Sequence, residues 1–467
     1  MKTSKNFING KWVHGKKKKY YYIKNFNGEK VSKYPDSDKI DLDSAIKSTA
    51  LVFEKNSFFK SKNQRLKVLN EIYFKLKKNI KSIINAEVSE TGKIYEDASK
   101  EIHSGIELWK SAIQVLKKTN FRKKTNIKKQ ILISALEPIG LVGLIIPWNY
   151  PFIVSCERLP FIIAAGCPVI LKPSEYASAS VSMIIKIISK TSAPKQLISL
   201  VHGKGKKIGK LLVSDNKINM ISFTGSTNVA KDIIKNSSSS IKKLSLELGG
   251  KNPMILTSDA NLEKSLKYIT ENFLENAGQA CIAGSILFIE SKIYNKTKKR
   301  LINKLKKIRS FQKPITKLHN QNIKNFISSS IKKGAKIVYG DKKSLKSNKA
   351  VEPFILEGVN RNEKLFLEEI FGTVLILKSF KSFKNILNEL NKNKYGLAVY
   401  LYSKNKTKIK YFEENIRFGR VWVNCSLKSW HTNLTIGGFR NSGYGSETSS
   451  EGLKNYLVNK SIISMKS

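Results

Sequence analysis

Cysteine is scarce: the 467 residues hold four, Cys156, Cys167, Cys281 and Cys425. Their spacing matches no zinc motif and no C-x-x-C redox pair, and so few in so long a chain do not make a disulfide scaffold. No metal centre is expected, and a reducing, cytoplasmic compartment fits best. Acidic residues are also few, 35 against 85 lysines and arginines, for a formal net charge of +50. The start, Met1-Lys2-Thr3-Ser4, has no apolar h-region, which speaks against a secretory signal. The most apolar stretch, Pro138 to Leu171, is interrupted by Trp148-Asn149 and by Glu157-Arg158, too broken for a membrane span. Missing as well is a G-x-G-x-x-G after any strand.

What is present suits a globular protein. Hydrophobic residues make up 41% of the chain, more than a mostly disordered chain carries, and the length implies two or three domains. The charge has two readings. One is a nucleic-acid or anionic-membrane partner. The other is compositional drift towards lysine. The lysines are scattered, and the densest runs, Lys16 to Lys19 and Lys304 to Lys307, carry no nucleic-acid motif, so no specific nucleic-acid partner is expected.

Short β-rich runs alternate with helical patterns. Leu141 to Ile146, Pro168 to Lys172, Leu197 to Val201 and Met220 to Phe223 read as strands. Glu157 to Ala165, Ala177 to Lys190, Lys204 to Val213 and a segment from about Asn228 read as helices. This rhythm predicts a doubly wound parallel sheet, which binds ligands at the carboxyl ends of its strands. A second α/β region begins near Lys251, with a helix over Leu262 to Asn276 and strands at Ala398 to Tyr402 and Val421 to Val423. The basic stretch from Lys292 to Asn348 reads as surface helices. Lys128 to Ala135 and Tyr456 to Ser464 are apolar strands that need partners, and a second subunit is a natural one.

Five motifs carry chemistry. Cys281 follows Gly278-Gln279-Ala280 just after a helix. An isolated cysteine is usually a small buried hydrophobe, but its companions change the reading. Glu247-Leu248-Gly249-Gly250 puts an acid at a strand end on backbone that a ligand can approach closely. Pro147-Trp148-Asn149-Tyr150 follows a buried strand, and Asn149 can donate its amide to an oxyanion. Phe223-Thr224-Gly225-Ser226 runs from strand to helix, where amides and a hydroxyl suit a pyrophosphate. Lys172-Pro173-Ser174-Glu175 ends another strand, and a carboxylate there can accept both hydroxyls of a ribose.

Read in order, these motifs resemble the aldehyde dehydrogenase superfamily, and within it most of all the betaine-aldehyde and aminoaldehyde members. The similarity runs from about Phe7 to Tyr456. Glu368-Glu369-Ile370-Phe371-Gly372, Tyr395-Gly396-Leu397-Ala398, Trp422-Val423-Asn424 and Ser442-Gly443-Tyr444-Gly445 extend it. The resemblance implies NAD-dependent oxidation of an aldehyde to an acid. Cys281 is the implied nucleophile, Glu247 the base that hydrolyses the thioester, and Asn149 with the Cys281 N–H the oxyanion site. Lys172 and Glu175 would bind the adenosine ribose, Glu175 favouring NAD over NADP. Ser226 would meet the pyrophosphate, and Glu369 and Phe371 the nicotinamide end. Ile146, Pro147, Trp148, Phe223, Thr224, Gly225, Leu248 and Gly249 complete the expected cofactor site. The implied architecture has three parts. These are a dinucleotide-binding domain over 1–119 and 139–249, a catalytic domain over 250–445, and a small β oligomerisation element over 120–138 and 446–467. A homodimer or homotetramer is expected.

The chain departs from the family at several places. Thr373 stands where proline is usual, Ile286 and Ser446 where arginine is usual, and Thr435-Ile436 where a proline–aromatic pair is usual. Glu157 and Glu275 stand at positions that are often aromatic or apolar along the aldehyde tunnel. If both face it, they favour a cationic substrate tail, with Tyr150 and Trp430 as aromatic faces for an ammonium. The other reading pairs Glu157 with Arg158 or a lysine and leaves Glu275 solvated. A rival from another class is a catalytically weak dehydrogenase fold that binds RNA or another polyanion.

Overall fold

Runs of β-branched and leucine residues that are buried throughout make strands covered on both faces. Val142–Ile145, Val169–Lys172, Ile198–Leu200 and Met220–Thr224 are such runs. The computed structural model, which describes residues 2–466, joins them into an eight-stranded sheet. Its order is Gly443–Tyr444, Lys243–Glu247, Met220–Thr224, Val142–Ile145, Val169–Lys172, Ile198–Leu200, Asn6–Ile8 and Lys11–Val13. The five central strands are parallel, and the flanking ones are antiparallel. One face packs on the helices Lys62–Lys78, Tyr95–Lys118 and Ala179–Ile188 around the fully buried Trp109. The other packs on Lys39–Lys55 and Thr227–Ser237.

A second sheet of seven strands runs Lys336–Tyr339, Phe354–Glu357, Val374–Phe380, Gly284–Glu290, Asn252–Leu256, Ala398–Tyr402 and Arg420–Val423. All its pairings are parallel except the first. Ile286 sits in its core, paired with Pro253 and Ile376, where an apolar side chain fits and a charge would not. Gly443–Tyr444, although late in the chain, pairs with Leu246 and Glu247 in the first sheet.

Several elements differ from the pattern read in the sequence. The helix expected over 157–165 begins later, at Leu159–Ala165, and a separate helix, Pro151–Cys156, precedes it, with Glu157 and Arg158 between the two. Pro160 has no N–H to continue the first helix and suits the opening turn of the second. The helix expected to reach Asn276 ends at Leu274, because Asn276, Ala277 and Gly278 turn left-handed in succession. The region 292–348 holds helices Tyr294–Leu305 and Lys317–Lys332 but also the strand Lys336–Tyr339.

The two apolar strands pair with one another. Leu457–Met465 lies antiparallel to Gln130–Pro138 over nine residue pairs, and Arg122–Ile127 covers the other edge. Leu457–Met465 is thus an edge strand of its sheet, with Ile463 and Met465 exposed. No helix among the described residues is long and apolar enough to cross a membrane.

Candidate active site

Parallel register aligns the strand ends of the first sheet. Thr224 is level with Glu247, Phe223 with Ile145, and Ile145 with Lys172. The segments that follow, 146–150, 173–175, 225–226 and 248–249, therefore lie along one crest, where a doubly wound sheet gathers its ligands. The second sheet meets this crest with the opposite ends of its strands. Cys281 lies just before Gly284–Glu290, Glu369 before Val374–Phe380, and Arg420 opens its strand.

Between the two lies a cavity of about 610 Å³. Cys281, Glu247 and Asn149 all line it, as do Pro147, Trp148, Thr224, Gly225, Ser226, Leu248, Gly249, Glu369 and Phe371. Tyr150, Glu157, Glu275 and Trp430 line it too. Ile146, Phe223, Lys172 and Glu175 lie off its wall, further along the crest or behind it. Ile146 is buried and donates its N–H to the Lys172 carbonyl at 3.1 Å. Lys172 is buried, 3.5 Å from Glu175, whose carboxylate also accepts the Gly205 N–H at 3.2 Å.

The turn that presents Cys281 is tied down by amides. Asn149 Nδ2 donates to the Gln279 carbonyl at 2.9 Å, and Asn276 Nδ2 donates back to the Asn149 carbonyl at 3.0 Å. Asn252 Nδ2 donates to the Cys281 and Ala283 carbonyls at 2.8 and 2.9 Å. An amide nitrogen carries two hydrogens, so Asn149 keeps one beyond its bond to Gln279. Gly278 has φ +70, and a Cβ there would collide with the Gly372 backbone, so only glycine fits. Thr373, next along, is buried against this turn.

Burial sets the electrostatics. It pushes the Cys281 thiol up to about 12, with Arg420 pulling the other way and Glu247, Glu369 and Glu157 adding to the rise. Glu247 is raised to about 7, again by burial, against the pull of Arg420 and Arg158. Glu369 is raised to about 7 by burial while its Oε1 accepts the Gly250 N–H at 3.2 Å. At the same end Trp148 packs edge-on to Phe371, ring centroids 5.5 Å apart, and His319 contacts both rings.

The two tunnel carboxylates differ. Glu157 is held by Arg158 at 2.7 Å, the local pairing. Glu275 accepts the Tyr150 hydroxyl at 2.9 Å and lies 3.6 Å from Lys428. The sequence reading did not single out Arg420, His319, Asp97 or Glu101, which also line the cavity. Arg420 stands two residues before Trp422-Val423-Asn424, but in so basic a chain a single arginine carries no signal.

One more motif finds its purpose here. Ser442 Oγ donates to the Gly249 carbonyl and accepts the Gly396 N–H, each at 2.9 Å, stitching the two halves together. Gly443, at φ +117, has no room for a Cβ against the Leu246 carbonyl.

The sequence profile of the family described as "Aldehyde dehydrogenase family" matches residues 12–462. Human 2-aminomuconic semialdehyde dehydrogenase is 31% identical, over 95% of this chain and 94% of its own. Betaine aldehyde dehydrogenase of Bacillus subtilis is 28% identical, over 98% of this chain and 96% of its own. The crystal structure of Staphylococcus aureus betaine aldehyde dehydrogenase in complex with NAD+ superposes with a TM-score of 0.95. It is 27% identical and covers 99% of this chain and 95% of its own. A profile matched along nearly the whole length, relatives covered end to end and a shared architecture agree: the chain belongs to the aldehyde dehydrogenase family.

Proposed function

We propose that the protein oxidises an aldehyde to its carboxylic acid with NAD, through a covalent thioester on Cys281. The observation that carries this is the meeting of Cys281, Glu247 and Asn149 in one cavity between the two sheets.

The cavity fits the cofactor on its own evidence. Thr224 Oγ1 lines it, buried and without a protein partner. Gly225 and Gly249 form a cradle in which a Cβ would strike the Phe223 ring or the Glu369 carboxylate. Lys172 and Glu175 would hold the adenosine ribose, and the Glu175 carboxylate would repel a 2′-phosphate. Ser226 would meet the pyrophosphate, and Glu369 and Phe371 would fix the nicotinamide end.

The Cys281 thiolate adds to the aldehyde carbon. The free Asn149 N–H and the Cys281 backbone N–H take the resulting oxyanion. NAD, when bound, supplies the two-electron acceptor that turns the thiohemiacetal into a thioester. Glu247, as carboxylate, then removes a proton from the water that attacks the thioester carbon, and the acid leaves as the Cys281 sulfur departs.

For the substrate we propose a cationic amino- or betaine-type aldehyde. Glu275 and Asp97 supply negative charge on the cavity wall, with Tyr150 and Trp430 as aromatic neighbours. Glu157 is not part of this reading: its partner Arg158 is buried with it, whereas Lys428 and Lys100, 3.6 and 3.7 Å from Glu275 and Asp97, are exposed. Relatives named for betaine aldehyde are consistent with it. We further propose that the edge strand Leu457–Met465 joins a second copy of the chain. Truncation after Tyr456 should then yield monomers by light scattering.

The test is NADH production from betaine aldehyde, 4-aminobutanal and propanal, with Cys281→Ala as control. Turnover lost in the control is expected. No turnover by a folded wild-type protein would overturn the reading. Turnover of propanal only would remove the cationic substrate.

A further inference from the structure

The cavity holds more acids than bases, and its cations are nearly all engaged. Arg158 lies between Glu157 at 2.7 Å and Glu447 at 3.8 Å. Lys428 faces Glu275 at 3.6 Å, and Lys100 faces Asp97 at 3.7 Å. Behind the wall, Lys251 gives its ammonium to the Leu365 carbonyl at 2.7 Å. The His319 ring bonds the Phe371 carbonyl at 2.7 Å, and the Tyr150 hydroxyl is spent on Glu275. Arg420 is the exception among the described residues. It lines the cavity with no carboxylate in contact, and its Nε is buried with no hydrogen-bond partner.

Strand geometry puts it on the nucleophile's side of the sheet. Arg420 is level with Ala398, and its N–H bonds the Leu397 carbonyl at 2.9 Å. Alternation puts Arg420 and Trp422 on one face of the sheet. Trp422 stacks on its register partner Tyr400, centroids 4.9 Å apart. The Tyr400 hydroxyl donates to the carbonyl of Ile282, the residue after Cys281, at 2.6 Å. The face that carries Arg420 is therefore the face on which the Cys281 turn rests.

Resting on the aldehyde-oxidising reading above, we propose that Arg420 is a positioning residue for the reacting centre. It holds the negative charge of the Cys281 thiolate before addition and of the Glu247 carboxylate before hydrolysis. When the S–H bond breaks, the proton passes to water and on to solvent, and the electron pair stays on sulfur. Glu247, Glu369 and Glu157 all oppose that charge, and Arg420 is the strongest influence in its favour. On Glu247 the same guanidinium outweighs Arg158, against Glu157 and Glu447.

The test uses the full chain as wild type, Arg420→Gln and Arg420→Lys. Alkylation by iodoacetamide is followed against pH at each cysteine by peptide mass spectrometry. Cys425 is the reference thiol, since its environment is set by burial and Ser429. In Arg420→Gln the Cys281 profile should move about one pH unit higher, roughly tenfold slower alkylation below the midpoint. Arg420→Lys should restore most of the rate, and Cys425 should not change. A Gln profile that superposes on wild type would overturn the proposal. So would a Lys variant displaced as far as Gln, because charge would then not be the cause. Should Arg420→Gln not fold, Arg420→Met against Arg420→Lys makes the same comparison. Aldehyde turnover by the wild type, read in parallel, separates the two levels. Its absence removes the enzymatic reading, whereas unchanged alkylation with turnover intact removes only the role of Arg420.

Discussion

The Tyr150 hydroxyl donates to Oε1 of Glu275 across 2.9 Å, and the Lys93 ammonium lies over the other part of the same residue, 4.2 Å from the ring centroid. Tyr150 thus fixes the carboxylate proposed to meet a cationic tail. Burial raises Glu275 above the usual carboxylate range, and Lys428 and this hydroxyl offset the rise. Glu275→Gln should raise KM for 4-aminobutanal about tenfold, with kcat and the KM of propanal unchanged, because one charge–charge contact of that size is lost. Steady-state kinetics on both aldehydes checks this. An equal change for propanal would show that the residue shapes the tunnel rather than reads charge.

A second expectation concerns pH. Glu247, raised to about 7 by burial, must be ionised to act as a base. Thioester hydrolysis should therefore rise as pH increases through about 7 and level off above it. Glu247→Gln should keep a burst of one NADH per site and lose about 10²–10⁴-fold in steady-state rate. Stopped-flow measurement separates burst from turnover, and a variant that loses both equally would place Glu247 before hydrolysis.

Gly249 offers a steric test. A methyl group there would drive the Glu369 carboxylate off the Gly250 N–H. Gly249→Ala should weaken NAD about tenfold, the equivalent of about 1.4 kcal/mol, while the melting temperature hardly moves. Calorimetric titration reads the affinity. An unchanged Kd would mean that the cofactor does not approach this backbone.

Stability should depend on a charge that touches no substrate. Lys93 is buried, 2.8 Å from Glu87 and bonded also to Glu101. Lys93→Met would leave two carboxylates in the interior without their cation. Removing one side of such a cluster costs about 3–5 kcal/mol, and urea unfolding should show a lower midpoint. A loss below about 1 kcal/mol, the worth of a surface pair, would mean that water reaches the cluster.

How much of this can be read in the sequence depends on how local the signal is. Cys281, Glu247 and Asn149 are legible because each sits in a short motif at a strand end or a turn. The βαβ rhythm shows in the same way, since buried parallel strands are continuous apolar runs. The split at Glu157 is harder, because a proline inside an apolar stretch can open a helix as well as end one. Glu157 itself shows why position is not role: it lines the cavity, and its neighbour Arg158 already holds its charge. Arg420 is illegible for another reason. Its meaning comes from strand register against Ala398 and from the absence of a carboxylate beside it, neither of which is written in neighbouring residues.

The first sheet brings Glu247 and Asn149, the second brings Cys281, and the proposed reaction falls in the seam. Neither half holds a usable set of groups. On that proposal catalysis is a gauge of alignment between the two sheets. A slight shear along the seam, too small to disturb either sheet, would separate the thiol from its base. In rising denaturant, activity should fade while circular dichroism still reports intact helices and strands. A substitution that loosens the Ser442 stitch should bring that silent state on sooner without touching a reacting atom.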